Sequence, residues 1–240
     1  MQWVVEDDFV GGRPQWEFVK GVTFCDDLSK VKKYEDMKLR LLNGSHTALS
    51  YISSLLFLQS GGSEEGAQST QSAQSVTVDR AMSDPLIASF VRQYMNEVAP
   101  TLKGGPEGEE MLLQYQNDLM HRFSNAEISD LCSRLCQDGS KKCLGFLVPG
   151  LTILLKENQD FTMCAKVLAS WYVYLQQWNV SDIDDPGGKK LLNIAREDDL
   201  TSFLCLSCGN GIGSDERVVR SVKKEVELLK KKGARMFLKE

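Results

Sequence analysis

The chain has 240 residues, 42% of them apolar and 25% charged, with 28 basic against 33 acidic side chains and a net charge of −5. That is ordinary for a globular protein of one large domain or two small ones. The acidic balance argues against nonspecific nucleic-acid binding, which needs a basic patch, and without a run of about 18 apolar residues no transmembrane helix is expected.

Met1 leads straight into Gln-Trp-Val-Val-Glu-Asp-Asp, with neither a basic nor a long apolar leader region, so no secretory signal is expected. Trp3 to Phe18 contains Gly11, Gly12 and Pro14 and reads as irregular, anchored by Trp3, Phe9, Trp16 and Phe18. Gly21 to Asp27 reads as a short strand. Ser29 suits a turn or an irregular helix start. From about Tyr34 to Leu58 the apolar spacing is helical. Ser60 to Ser75 has no apolar residue larger than alanine and reads as a flexible insertion within one domain.

Asp84-Pro85 supplies an N-cap and a first-turn proline for a helix to about Val98. Leu102 to Glu109 is a Gly/Pro loop, and Met111 to Phe123 a helix. Ser124 or Asn125 can cap a further helix to about Cys136, and Asp138-Gly139-Ser140 reads as a turn or cap. Lys141 to Lys156 reads as a helix that Pro149 kinks or restarts, and Phe161 to Trp178 as a strongly apolar one. After a loop at 184–188, helical stretches lie near Asp198 to Leu206 and Asp215 to Lys232. The last is a surface helix with a valine stripe. The predicted fold class is mainly α, a multi-helical domain with at most one or two short strands.

The chemistry concentrates between Glu35 and His46. Lysine, asparagine and histidine can respectively move a proton, hold a neutral oxygen, and do either. At about 100° per residue, with Lys38 at zero, Glu35 falls near roughly 60°, His46 near 80° and Asn43 near 140°. All four therefore share half of a helix, with Arg40 and Gly44 facing away. Asn43-Gly44 is a poor helix interior, a local conflict typical of functional sites.

These residues carry a family resemblance. Trp3-Val-Val-Glu-Asp-Asp-Phe, Gly12-Arg-Pro, Gly21-Val-Thr-Phe and Lys38-x4-Asn43-x2-His46 resemble the polyol-specific long-chain dehydrogenases of the mannitol 2-dehydrogenase and fructuronate reductase type. Ser133-Arg134 followed by Asp138-Gly139-Ser140-Lys141-Lys142 is similar to a second block of that family. The likeness is expected to reach about residue 195 and to fade beyond. It implies the C-terminal domain of such an enzyme, resembling the C-terminal fold of 6-phosphogluconate dehydrogenase, over residues 1–240. It further implies metal-independent hydride exchange between a polyol or sugar acid and NAD or NADP. Lys38 would be the general acid/base, with Glu35 assisting the proton relay. Asn43 and His46 would hold the reacting oxygen, and Arg134 and Lys142 the substrate hydroxyls.

The family's Rossmann nucleotide-binding domain would precede residue 3, and no strand–Gly-x-Gly-x-x-Gly–helix unit is found here. The expectation is therefore a substrate half-site, inactive until a nucleotide-binding domain joins it. The alternative is a non-catalytic helical binding domain descended from the enzyme. Gly209-Asn-Gly-Ile-Gly213 has the wrong spacing for a phosphate turn and reads as a loop or helix C-cap. Cys205-Leu-Ser-Cys208 would suit zinc or a redox pair, but no second Cys/His pair stands near it. The odd count of seven cysteines suits reduced thiols in the cytoplasm, with Cys132, Cys136 and Cys143 as small buried hydrophobes. His121 reads as a helix-surface residue, and Trp171 to Trp178 as core.

Overall fold

A computed structural model describes residues 3–60, 75–177, 185 and 187–240. Most of the predicted insertion, Trp178, and residues 184 and 186 of the 184–188 loop lie outside them. The chain opens on β1 (Trp3–Glu6), which pairs in parallel with β2 (Val22–Cys25), Trp3 opposite Val22 and Glu6 opposite Cys25. Trp3–Glu6 is thus a strand, where the sequence reads as irregular. Its β-branched Val4 and Val5 need a partner that arrives some twenty residues later. Phe9 packs edge-on against Trp16 and Phe24, but Phe18 is 82% exposed and anchors nothing among the described residues.

The helix expected from Tyr34 starts earlier, at α1 (Leu28–Met37), because the Asp27 side chain accepts from the Lys30 N–H. It passes through a π-helical turn, Lys38–Asn43, into α2 (Gly44–Ser60). Next come α3 (Val78–Met82), α4 (Pro85–Val98), capped by Asp84 as predicted, and α5 (Glu109–Phe123). The helix expected from Ser124 to Cys136 is only α6 (Cys132–Leu135). The stretch before it turns to make an isolated antiparallel bridge between Thr77 and Leu131. A distant strand-like partner therefore outcompetes the local capping signal.

After α7 (Gly139–Lys142) a second π turn, Cys143–Leu147, leads into α8 (Val148–Lys156), with Pro149 in its first turn. α9 (Thr162–Gln177) is buried from Met163 to Leu175, confirming that the Trp171–Leu175 stripe is core. Its N-terminus is capped from α4, where Glu97 accepts from the Met163 and Cys164 N–H groups at 2.6 and 2.8 Å.

The chain closes with α10 (Gly188–Arg196), not anticipated from the sequence, then α11 (Leu200–Cys208), α12 (Asn210–Gly213) and α13 (Glu216–Phe237). Gly209, at φ 81°, ends α11, as the C-cap reading has it. α13 lies on α9 with Val218, Val222, Val226 and Leu229 buried and its lysines outward, so the surface-helix reading holds. Gly233, at φ 75°, breaks its last turns, and Gln59 of α2 accepts from the Ala234 N–H at 2.7 Å. α2 and α9 are the central pair, and α2 buries Ser45, Ser50, Ser53 and Ser54, small side chains that let neighbours approach closely. Among the described residues no helix is long and apolar enough to cross a membrane.

Candidate active site

The Glu35–His46 face lies across the junction of α1, the π turn and α2. A straight α-helix would spread Lys38 and Asn43 over about 140°. The π turn adds one residue to the coil, shown by the Gly44 N–H donating to the Leu39 carbonyl five residues back. Everything after it is rotated back by about 100°, which puts Asn43 near 40° and His46 near −20° of Lys38. The turn therefore draws Lys38, Asn43 and His46 into a narrower row than the sequence predicts.

The back of the turn is pinned. Arg40 is buried, and its Nη1 donates to the Thr101 carbonyl at 2.8 Å and to Thr101 Oγ1 at 3.2 Å. Gly44 is buried against Tyr94, whose hydroxyl donates to the Arg40 carbonyl at 3.4 Å. Both residues face away from the polar row, as predicted. The glycine also has a packing reason: a Cβ there would collide with the Tyr94 hydroxyl.

On the front, Lys38 and Glu35 are exposed, and Asn43 and His46 are half-buried. Among the described residues the Lys38 and Asn43 side chains make no hydrogen bond or ion pair, so their donors and acceptors are available. Lys38 is therefore solvated and not desolvated among the described residues. His46 packs on Phe123 with ring centroids 4.7 Å apart. Burial pulls its imidazole down to about 4, against a smaller opposing pull from Asp130, so the ring is neutral near pH 7. A neutral imidazole both donates and accepts, which suits an oxygen that alternates between hydroxyl and carbonyl.

The second block arrives beside it. Arg134 is exposed and paired with Asp130, its Nε donating at 2.7 Å and Nη2 making the other half of the pair. Lys142 is half-buried, donates to the Leu135 carbonyl at 2.8 Å, and is held below the usual lysine range by desolvation. Both act electrostatically on His46. The structure thus brings His46, Arg134 and Lys142 together, with Lys38 and Asn43 along the same helical row.

Sequence reasoning missed Asp130. Its only signal was its place four residues before Arg134, an ion-pair spacing. His46, Asp79, Arg122, Phe123 and Asp130 line a cavity of about 30 Å³. That holds a water or two, far below the roughly 300 Å³ minimum of small-molecule sites. The remaining face is an open shelf.

The model of the mannitol dehydrogenase C-terminal domain matches residues 66–230. The chain belongs to this family. The match runs well past residue 195, so the likeness does not fade there. Mannitol 2-dehydrogenase of Aspergillus fumigatus is 33% identical over 230 residues, covering 92% of this chain and 42% of the relative. That of Phaeosphaeria nodorum is 32% identical over 98% of this chain and 39% of its own length. The solved Pseudomonas fluorescens mannitol 2-dehydrogenase, a ternary complex with NAD and D-mannitol, superposes with a TM-score of 0.79 at 33% identity. A substrate-free D-sorbitol dehydrogenase superposes at 0.80 and 26% identity, and each match covers 99% of this chain and 46% of the other. The chain spans less than half the length of these relatives.

The mannitol dehydrogenase C-terminal fold explains the mainly α architecture. Cys208 is buried with its sulfur 3.6 Å from that of Cys143, Cys205 is half-exposed, and all seven cysteines are free. Among the described residues no cluster of three or more metal-ligating side chains occurs.

Proposed function

We propose that the chain is the substrate-binding and proton-handling part of an NAD(P)-dependent, metal-independent dehydrogenase of polyols or sugar acids, interconverting a secondary alcohol and a ketone. The π turn carries this reading, because it aligns a lysine and an amide that have no side-chain partner among the described residues with a neutral imidazole along an open shelf. Family membership and the NAD and D-mannitol of the Pseudomonas relative support it.

In alcohol oxidation Lys38 takes the hydroxyl proton and returns it in ketone reduction. Asn43 and His46 hold the oxygen through its change of charge. Glu35, one helical turn before Lys38, passes the proton towards solvent. Arg134 and Lys142 hold the remaining hydroxyls. The nicotinamide cofactor, when bound, supplies the hydride acceptor.

The residues present fit the reacting oxygen and its proton but not a nucleotide. Among the described residues the parallel pair β1–β2 lacks a glycine-rich phosphate turn into a helix, and Gly209–Gly213 is the cap residue between two helices followed by the one-turn helix α12. We therefore place the cofactor mainly on a Rossmann-type domain outside residues 3–240, which also closes the shelf and desolvates Lys38. Free thiols fit a cytoplasmic setting.

Lys38→Ala in the full-length enzyme is the test. Turnover near neutral pH should fall by about 10²–10⁴, with the unfolding midpoint unchanged. Turnover close to wild type removes Lys38 as the acid/base.

A further inference from the structure

The two basic residues placed on the substrate's hydroxyls sit on one short unit. Arg134 lies in α6, and the chain turns at Asp138 into α7, which ends on Lys142. Lys142 folds the unit back on itself. Its N–H donates to the Asp138 carbonyl at 3.0 Å and its Nζ to the Leu135 carbonyl at 2.8 Å. The unit needs outside support. α7 is a single turn, too short to be stable alone. Asp138 holds φ 54°, a left-handed conformation that a residue with a side chain keeps only where its surroundings enforce it.

Two neighbours enforce it. Gly139 is buried where a Cβ would lie 2.6 Å from the Tyr51 hydroxyl and 2.8 Å from the Trp171 ring. The next residue, Ser140, is clipped by Asp185 from the loop between α9 and α10. The Asp185 Oδ2 accepts from the Ser140 N–H at 2.7 Å, and Oδ1 accepts from the Ser140 hydroxyl at 2.5 Å. Asp185 is itself fixed. Its Oδ1 also accepts from the Gly187 N–H at 2.8 Å, and its carbonyl accepts from the Gly188 N–H at 2.8 Å, where α10 begins. Both carboxylate oxygens are thus committed within the protein, and the clip ties α10 to the turn that carries Lys142.

We propose that Asp185 is a positioning residue of this site: by clipping Ser140 it holds the α7 turn that presents Lys142 to the substrate, and it acts on substrate binding only through that lysine. The proposal rests on the dehydrogenase reading above.

The test is a double-mutant cycle in the full-length enzyme, assayed with D-mannitol, D-sorbitol and D-mannonate. Asp185→Ala should raise KM roughly tenfold with kcat little changed, the scale of one hydrogen bond to a charged group and the pattern of lost uniform binding. Lys142→Met should raise KM by itself, and adding Asp185→Ala to it should raise KM no further. A clip that merely stabilised the fold would lower the unfolding midpoint and act alike in both backgrounds. A KM rise of equal size in both backgrounds, or none in either, overturns the role of Asp185 and leaves the dehydrogenase reading standing. A Lys142→Met variant with wild-type KM removes Lys142 from the substrate and this proposal with it, while Lys38→Ala still decides the proton chemistry. A wild type that oxidises none of these substrates with NAD or NADP overturns both. Should Asp185→Ala fail to fold, Ser140→Ala, which removes only the hydroxyl half of the clip, takes its place in the cycle.

Discussion

Burial of His46 makes the stability of the fold depend on pH. Its imidazole is pulled down to about 4 by burial, from an unfolded value near 6.5. The native state therefore binds fewer protons than the unfolded chain between those values. The contribution is present above pH 6.5 and is lost as pH falls towards 4. His46→Gln should remove that sensitivity, so that the variant loses about 1–2 kcal/mol less than wild type between pH 7 and pH 4 in urea unfolding, after allowance for partial solvent screening. Parallel pH curves would show that His46 is not held neutral. At this scale the residue types of the site were legible in the sequence: the lysine, amide and imidazole stand at readable spacings. Asp130 was not, because its importance comes from Arg134 and His46 reaching it from separate elements.

The π turn is the element that sets the site, and Gly44 is its hinge of packing. A Cβ at Gly44 would overlap the Tyr94 hydroxyl, whereas in an isolated helix Gly→Ala would stabilise by about 1 kcal/mol. Tyr94 is fully buried and has little room to retreat, so the clash wins. Gly44→Ala should destabilise by about 1–3 kcal/mol, read from the denaturant midpoint. Tyr94→Phe in the same chain should recover part of that loss by removing the oxygen. A stabilised Gly44→Ala variant would mean that Tyr94 moves freely and does not brace the turn. The Asn43-Gly44 conflict marks this place in the sequence. The i to i+5 bonding does not, because apolar spacing of three and four residues fits an α-helix equally well.

Across the whole molecule, the ends of the chain act on the middle. Phe237, fully buried, packs with the Lys166 ammonium 5.2 Å from its ring, and Gln59 caps the final turns beside it. Phe237→Ala should cost about 3–5 kcal/mol, a large share of a typical domain's stability. A change below 1 kcal/mol in urea would show that the last turns of α13 are dispensable. The sequence by itself determined the mainly α class, the helices of α4, α5, α9 and α13, and the residue types of the polar row Lys38, Asn43 and His46, since periodicity, caps and residue spacing are local properties. Only the tertiary structure decided that Trp3–Glu6 is a strand, that the stretch before Cys132 is a bridge and not a helix, and that Asp130 joins the site. Each of these depends on a partner distant in sequence, Val22–Cys25, Thr77 and His46 respectively, and local propensity yields wherever such a partner supplies the hydrogen bonds or the charge.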